Sequence, residues 1–259
     1  MKKLRLATVF SGIGAPEQAL NKMNIPYDIV FACDNGEREL QLTKEEIIEE
    51  ANKKEKDIND YVKELYNNLK KINYVKKSYM ANYDITEEKW YEDIRFIDGK
   101  KYKDQVDLLV GGSPCQSFSI IGKRAGLDDA RGTLFYEFAR LINEIQPNFF
   151  IYENVLGMLT HDNGNTWKHI KEIFESLNYE INVNILNSKD YGIPQNRSRL
   201  FVVGFKNNNV NYREPDKIKL TTKMKDYLEE DINPKHYLGQ KGFEFVTRYY
   251  SNTKSKSTI

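Results

Sequence analysis

Leu4-Arg5-Leu6-Ala7-Thr8-Val9-Phe10-Ser11-Gly12-Ile13-Gly14 is a short apolar run that ends on a glycine turn, and its reading decides the fold. An apolar run of this length bounded by glycines predicts a buried strand over residues 4–10, with residues 11–14 as the turn that breaks it. Residues 15–23 predict a helix, with Pro16 tolerated in its first turn and Ala19, Leu20 and Met23 at helical spacing. Residues 28–33, Asp-Ile-Val-Phe-Ala-Cys, predict a second buried strand, closed by Asp34. Strand, helix and strand in that order make a βαβ unit with parallel strands.

Outward from this unit the alternation persists. Residues 45–69 have strong helix composition and few apolar residues, so they predict a charged, mostly exposed helix with Ile47, Ile48, Val62, Leu65 and Leu69 as its buried stripe. A strand is expected over 106–110, a glycine-rich loop from Gly111, a helix over 133–144 and a buried strand over 149–152. A helix over 166–177 would be capped by Asn165 or Thr166. Strands over 181–186 and 199–205 follow, read as an antiparallel pair. The expected fold class is therefore α/β, an open, mostly parallel Rossmann-like sheet with helices on both faces, whose ligands sit beyond the carboxyl ends of the strands. One domain is expected over residues 1–205, with the charged helical segment at 44–77, and a linker followed by an incomplete further region over 206–259.

The 259 residues carry 39 Lys+Arg against 38 Asp+Glu, a net charge of +1, so no global basic surplus announces a nucleic-acid binder. The basic residues are nevertheless unevenly spread: from residue 235 onward Lys235, Lys241, Arg248, Lys254 and Lys256 face Glu244 alone. No stretch approaches the ~20 apolar residues that span a membrane, and the amino terminus lacks a signal-peptide core, so a soluble cytoplasmic protein is expected. Two cysteines make neither a disulfide framework nor a zinc quartet, and no metal is expected.

Four groups can carry chemistry. Phe10-x-Gly12-x-Gly14 with Asp34 is the pairing by which doubly wound folds hold a nucleoside, although two glycines after a strand also make an ordinary tight turn. The third glycine of the dinucleotide fingerprint is replaced by Glu17, whose charge would oppose a pyrophosphate, so a cofactor without phosphates fits better. Gly111-Gly112-Ser113-Pro114-Cys115-Gln116-Ser117 sets a cysteine in a polar loop where a thiolate can act as nucleophile, whereas Cys33 in its apolar strand reads as core. Glu153, ending a buried strand, is placed to hold or donate a proton if partly desolvated, or else caps a helix. Arg197 and Arg199 offer two planar forks on one face of an extended chain, or a strand-edge salt bridge. His161, His169 and His236 show no pairing with Cys115 that would suggest a hydrolase.

Taken together and in order, these residues resemble the DNA (cytosine-5) methyltransferases. The resemblance runs from about Leu4 to Phe205 and rests on Phe10-Ser11-Gly12-Ile13-Gly14, Asp34, Asp84-Ile85, Gly112-Ser113-Pro114-Cys115-Gln116, Arg131-Gly132-Thr133-Leu134-Phe135, Glu153-Asn154-Val155 and Gln195-Asn196-Arg197-Ser198-Arg199. It implies S-adenosylmethionine as methyl donor, with Phe10, Gly12 and Gly14 around its methionine and adenosine parts. By the same carry-over Asp34 meets the ribose, Asp84 and Ile85 the adenine, and Gly112, Pro114 and Leu134 complete the pocket. Where many family members place a large aromatic residue after the ribose carboxylate, this chain has Asn35-Gly36.

The implied chemistry is addition of Cys115 to C6 of a cytosine swung out of duplex DNA, with Glu153 at N3, Arg199 at O2 and Arg197 assisting. Gln116, Ser117, Ser119, Lys123 and Arg124 would then form a DNA-contacting lid. After Phe205 the resemblance fades: the target-recognition region is at most begun and the final motifs are not recognisable. A second subunit supplying them is expected, docked near Phe243, Phe245 and Val246, in a restriction-modification or phage modification setting; a truncated gene or a shortened chain are the other readings. The rival activities are a transfer RNA cytosine-5 methyltransferase and an inactive fragment that binds only cofactor or DNA.

Overall fold

A computed structural model describes residues 2–114, 134–206 and 210–253, with side chains as far as Arg248. Among these residues seven strands form one sheet: β1 (Leu4–Val9), β2 (Tyr27–Cys33), β3 (Trp90–Tyr91), β4 (Leu108–Gly111), β5 (Phe149–Asn154), β6 (Glu180–Asn187) and β7 (Ser198–Phe205). Their order is β3-β2-β1-β4-β5-β7-β6. β1 to β5 pair in parallel, and β7 runs antiparallel to both β5 and β6. This is the α/β Rossmann-like fold expected, including the antiparallel final pair. The order turns back at β1, which has β2 on one side and β4 on the other, so a crevice opens beyond their carboxyl ends.

Among the described residues eight helices accompany the sheet: α1 (Ala15–Lys22), α2 (Lys44–Lys53), α3 (Ile58–Asn67), α4 (Tyr74–Asn82), α5 (Leu134–Ile145), α6 (Gly157–Thr160), α7 (Asn165–Ser176) and α8 (Gln240–Thr253). Alternate residues of each strand face opposite sides. Ala7, Val9, Leu109, Phe150 and Tyr152 join Phe135, Phe138 and Ile142 of α5 and Ile170 and Phe174 of α7 in the main core. On the other side Leu6 and Leu108 meet Leu20 of α1, while Ile29, Ala32 and Trp90 meet Tyr79 of α4. Helices thus lie on both faces, but on this second side Val110, Phe149 and Ile151 are only partly covered.

Several local expectations are corrected. The single helix over 45–69 is two, because Thr43 and Asp57 each start one. Thr43 forms a reciprocal capping box with Glu46, and Asp57 accepts from the amides of Asn59 and Asp60. The two helices fold together around Ile47, Ala51, Tyr61, Val62 and Tyr66, while Ile48 turns outward at 39% exposure. α7 is entered through Gly164 in the left-handed region rather than through a side-chain cap, and Thr166 is buried with its hydroxyl on His161. In α1 the inward residues are Glu17 and Leu20; Met23 is 57% exposed. Residues 210–239 hold short turns and one bridge, Tyr191 to Ile218.

Candidate active site

The glycine turn after β1 is shaped from below. Phe10 takes a left-handed φ of 55°, rare for a bulky residue and costing about 1–2 kcal/mol. Glu17 lies fully buried beneath the turn, against the expectation that it faces a ligand, and accepts from Thr8 Oγ1 at 3.1 Å and from Tyr79 Oη. Thr8 Oγ1 in turn meets Ser11 Oγ at 2.8 Å, and Ser11 Oγ bonds both backbone groups of Cys33. Burial pushes the Glu17 carboxyl up, and the bonds from Tyr79 and Thr8 pull it back only in part.

The two glycines differ. Gly12, at φ +54°, would carry a Cβ into open space, whereas a Cβ on Gly14 would stand 2.1 Å from the Tyr83 ring. The freedom at position 14 therefore serves an internal contact, and Tyr83 Oη donates to the Gly14 carbonyl at 2.7 Å. Asp34 ends β2 where expected and accepts from the amides of Gly12 at 2.9 Å and Gly36 at 2.8 Å.

Asp84 and Ile85 are not brought to this turn. Asp84 lines a hollow with Lys3, Pro26, Tyr27 and Asp28, at the amino ends of β1 and β2, and Ile85 packs with Ile29 and Trp90. A second Asp-Ile pair, Asp93-Ile94, stands at the carboxyl end instead. It follows β3, whose Tyr91 carbonyl accepts from the Asp34 amide at 3.1 Å. Asp93 is buried and accepts from Tyr66 Oη and from the Arg95 guanidinium. The sequence holds the pair in plain view; spacing from the cysteine loop, 21 residues from Asp93 to Pro114 against 30 from Asp84, was the signal available. Cys33 is core, as expected, and burial pushes its thiol up, with the nearby Asp93, Asp34 and Glu92 charges acting in the same sense.

Across the crevice, the ends of β4 and β5 are locked together. Ser113 Oγ meets Tyr152 Oη at 2.7 Å, and Asn154 Nδ2 donates to the Ser113 carbonyl at 3.0 Å and to Tyr152 Oη at 2.9 Å. A Cβ on Gly112 would stand 2.6 Å from the Glu153 carbonyl, so only glycine permits this approach. Glu153 Oε1 lies 3.1 Å from Arg199 Nε and 4.0 Å from Arg197 Nη2, and its side chain is 35% exposed rather than desolvated. Antiparallel pairing of Asn154 with Leu200 brings Arg199 of β7, and Arg197 just ahead of the strand, there. Pro114 lies at the rim of the described segment, and Leu134 starts α5 packed on the main core. Cys115, Gln116, Ser117, Ser119, Lys123, Arg124 and residues 131–133 lie outside the described residues.

A groove of about 810 Å³ joins these parts. It runs from Phe10, Gly12 and Gly112 past Glu153 and Arg197 and along the apolar side of the sheet between α1 and Phe149, Ile151 and Phe201. His161 and His169 are engaged with Thr166 and Tyr136, away from it. Among the described residues no group of three or more His, Cys, Asp or Glu is placed to hold a metal ion, and no helix is long and apolar enough to cross a membrane.

The family description that this sequence matches is C-5 cytosine-specific DNA methylase, over residues 64–258. The chain is 34% identical over 270 residues to the orphan methyltransferase M.SPRI of Bacillus phage SPR, an alignment covering 93% of this chain and 53% of that protein. It is 41% identical over 169 residues to the type II methyltransferase M1.ScrFI of Lactococcus lactis subsp. cremoris, covering 64% of this chain and 42% of the other. The type II methyltransferase M.HhaI of Haemophilus parahaemolyticus is 39% identical over 165 residues, covering 63% and 49%. The chain thus spans about half the length of the curated relatives it matches. Among solved structures, the S. pombe Dnmt2 methyltransferase superposes with a TM-score of 0.60 at 19% identity, covering 97% of this chain and 67% of that one, and shares the fold.

Proposed function

The chain belongs to the C-5 cytosine-specific DNA methylase family, and we propose that it transfers a methyl group from S-adenosylmethionine to C5 of cytosine in double-stranded DNA, in the cytoplasm and in a restriction-modification or phage modification setting. The observation that carries this reading is the meeting of Glu153 with Arg199 and Arg197 beside the Ser113-Pro114 stem that leads into Cys115. No comparable observation favours transfer RNA as substrate or a binding-only role.

The residues fit the donor. Gly12 leaves bare backbone toward the crevice, as a closely approaching ligand requires, and Asp34 uses only part of its accepting capacity on two amides, leaving lone pairs for ribose hydroxyls. In this reading Phe10, Gly12, Gly112, Pro114 and Leu134 line the pocket, and Asp93 and Ile94 take the adenine-side place first given to Asp84 and Ile85. Gly14 supports the pocket through Tyr83. When bound, S-adenosylmethionine supplies an electrophilic sulfonium methyl.

The chain's own residues make cytosine able to accept it. The Cys115 thiolate adds to C6 of the extruded base, placing electron density on C5. Glu153 shares a proton with N3 and accepts from the exocyclic amine, while Arg199 donates to O2, so charge developing on the ring meets preset partners. Arg197 positions Glu153 or a phosphate. Gln116, Ser117, Ser119, Lys123 and Arg124 close on the DNA backbone. Loss of the C5 proton and expulsion of the thiolate restore the ring.

A second subunit carrying the remainder of the target-recognition region belongs to this reading, with residues 1–205 as the catalytic and cofactor-binding domain and 206–259 as linker and start of that region. Its support is apolar surface left uncovered: the half-buried groove side at Phe149, Ile151 and Phe201, and Phe243, Phe245 and Val246 on α8 at 59%, 74% and 38% exposure. The test is incubation with 5-fluorocytosine duplex DNA and S-adenosylmethionine, with and without the product of a neighbouring gene, followed by denaturing mass measurement. A covalent adduct that Cys115→Ser abolishes is expected. Adducts formed on transfer RNA alone, or none with any partner, would refute it.

A further inference from the structure

Residues 34–89 separate β2 from its neighbour β3, far more chain than a two-strand connection needs, and they contain α2, α3 and α4. This excursion returns to the crevice at both of the turns that shape it. Asn73, 6% exposed, donates through Nδ2 to the Asp34 carbonyl at 3.0 Å and to Glu92 Oε2 at 2.9 Å, while its Oδ1 accepts from the Lys76 amide and caps α4. At the other end of α4, Tyr83 Oη donates to the Gly14 carbonyl, and its ring fills the space that a side chain at position 14 would need. Between them Tyr79 reaches the buried Glu17 beneath the turn.

We propose that α4 is a brace for the cofactor pocket, in which Asn73 and Tyr83 are positioning residues that hold the turns after β2 and β1 at the separation a nucleoside methyl donor requires. This rests on the donor assignment above, but the brace itself is a property of the free chain. The carboxylate of Asp34 bridges the two turns by accepting from Gly12 and Gly36. A brace that fixes the backbone of residue 34 from one side and residue 14 from the other fixes that bridge before any ligand arrives, so less ordering is needed on binding. A connection serving only to join β2 to β3 would have no reason to contact both turns.

Two variants of the full chain test the proposal. Asn73→Ser keeps a capping oxygen for α4 but cannot reach Asp34, and Tyr83→Phe removes only the hydroxyl. Tyr61→Phe, in the core shared by α2 and α3, is the control. Amide hydrogen exchange is expected to accelerate at Gly12 and Gly36 in both variants, with Leu109 in β4 unchanged. Calorimetry with S-adenosylhomocysteine should show binding weakened about threefold to tenfold per variant, the range one net hydrogen bond is worth. Unchanged exchange at Gly12 and Gly36, or equal affinity of variants and wild type, overturns the brace. Faster exchange in variants of a chain that binds no S-adenosylhomocysteine would leave the brace standing and refute the donor assignment instead.

Discussion

Glu92→Gln probes the buried charge on which the loop after β2 is built. Arg38 and Glu92 form an ion pair with side chains only 6% and 5% exposed. Arg38 also donates to the carbonyls of Asn35 at 2.9 Å and Tyr66 at 3.2 Å, so the pair ties the Asp34–Arg38 loop to α3 and to the residue after β3. Replacing the carboxylate by an amide keeps the volume and one accepting oxygen but leaves a guanidinium out of water without its counter-charge. Breaking such a pair from one side costs about 3–5 kcal/mol, and the retained acceptor puts this case near 3. For a domain of this size that lowers Tm by roughly 6–12 °C.

The assay is equilibrium urea unfolding followed by fluorescence, since Trp90 is buried two residues from Glu92. Arg38→Gln should cost less, because Lys76 Nζ still stands 3.4 Å from the Glu92 carboxylate. The double variant should lose less than the sum of the two, with a coupling of about 2 kcal/mol, because the guanidinium stranded by Glu92→Gln is then gone as well. A loss below about 1 kcal/mol for Glu92→Gln would mean that water reaches Arg38, and the reasoning fails.

Three other perturbations separate the roles assigned above. Because burial holds the Glu17 carboxyl above its unfolded value, its contribution to stability is complete below the unfolded value of 4.5 and is lost as pH rises through the folded one. Wild type should therefore lose stability relative to Glu17→Gln as pH climbs above 4.5, and parallel pH profiles of urea midpoint would contradict the burial argument. Gly14→Ala meets the Tyr83 ring and should cost at least about 2 kcal/mol in thermal unfolding, whereas Gly12→Ala, strained but sterically free, should cost about 1 kcal/mol while sharply weakening S-adenosylhomocysteine binding. Asp34→Asn and Asp93→Asn should each reduce that binding, and Asp84→Asn should not; calorimetry showing the reverse for Asp84 and Asp93 would restore the first assignment.

What was legible in the chain was whatever depends on neighbours in sequence. The apolar runs ending in Gly12, Asp34, Gly111 and Glu153 each name a strand and the group at its carboxyl end, because the period of two and the glycine breaks are local signals. α4 and β3 were not legible: Tyr79 and Trp90 are buried by packing on each other, with ring centroids 5.2 Å apart, and neither makes a periodic pattern alone. The break between α2 and α3 was readable in Asp57, but helix composition on both sides outweighed it.

By itself, then, the sequence determined the alternating strand-and-helix class, the family, and which residue types stand at strand ends, since each follows from spacing along one chain. Only the tertiary structure set Asp93 at the carboxyl end of the sheet and Asp84 at the amino end, turned Glu17 inward, and assigned the freedom of Gly14 to Tyr83. Those outcomes depend on which end of a parallel sheet a returning segment reaches, and two Asp-Ile pairs nine residues apart look alike until β3 pairs with β2 and carries one of them to the crevice.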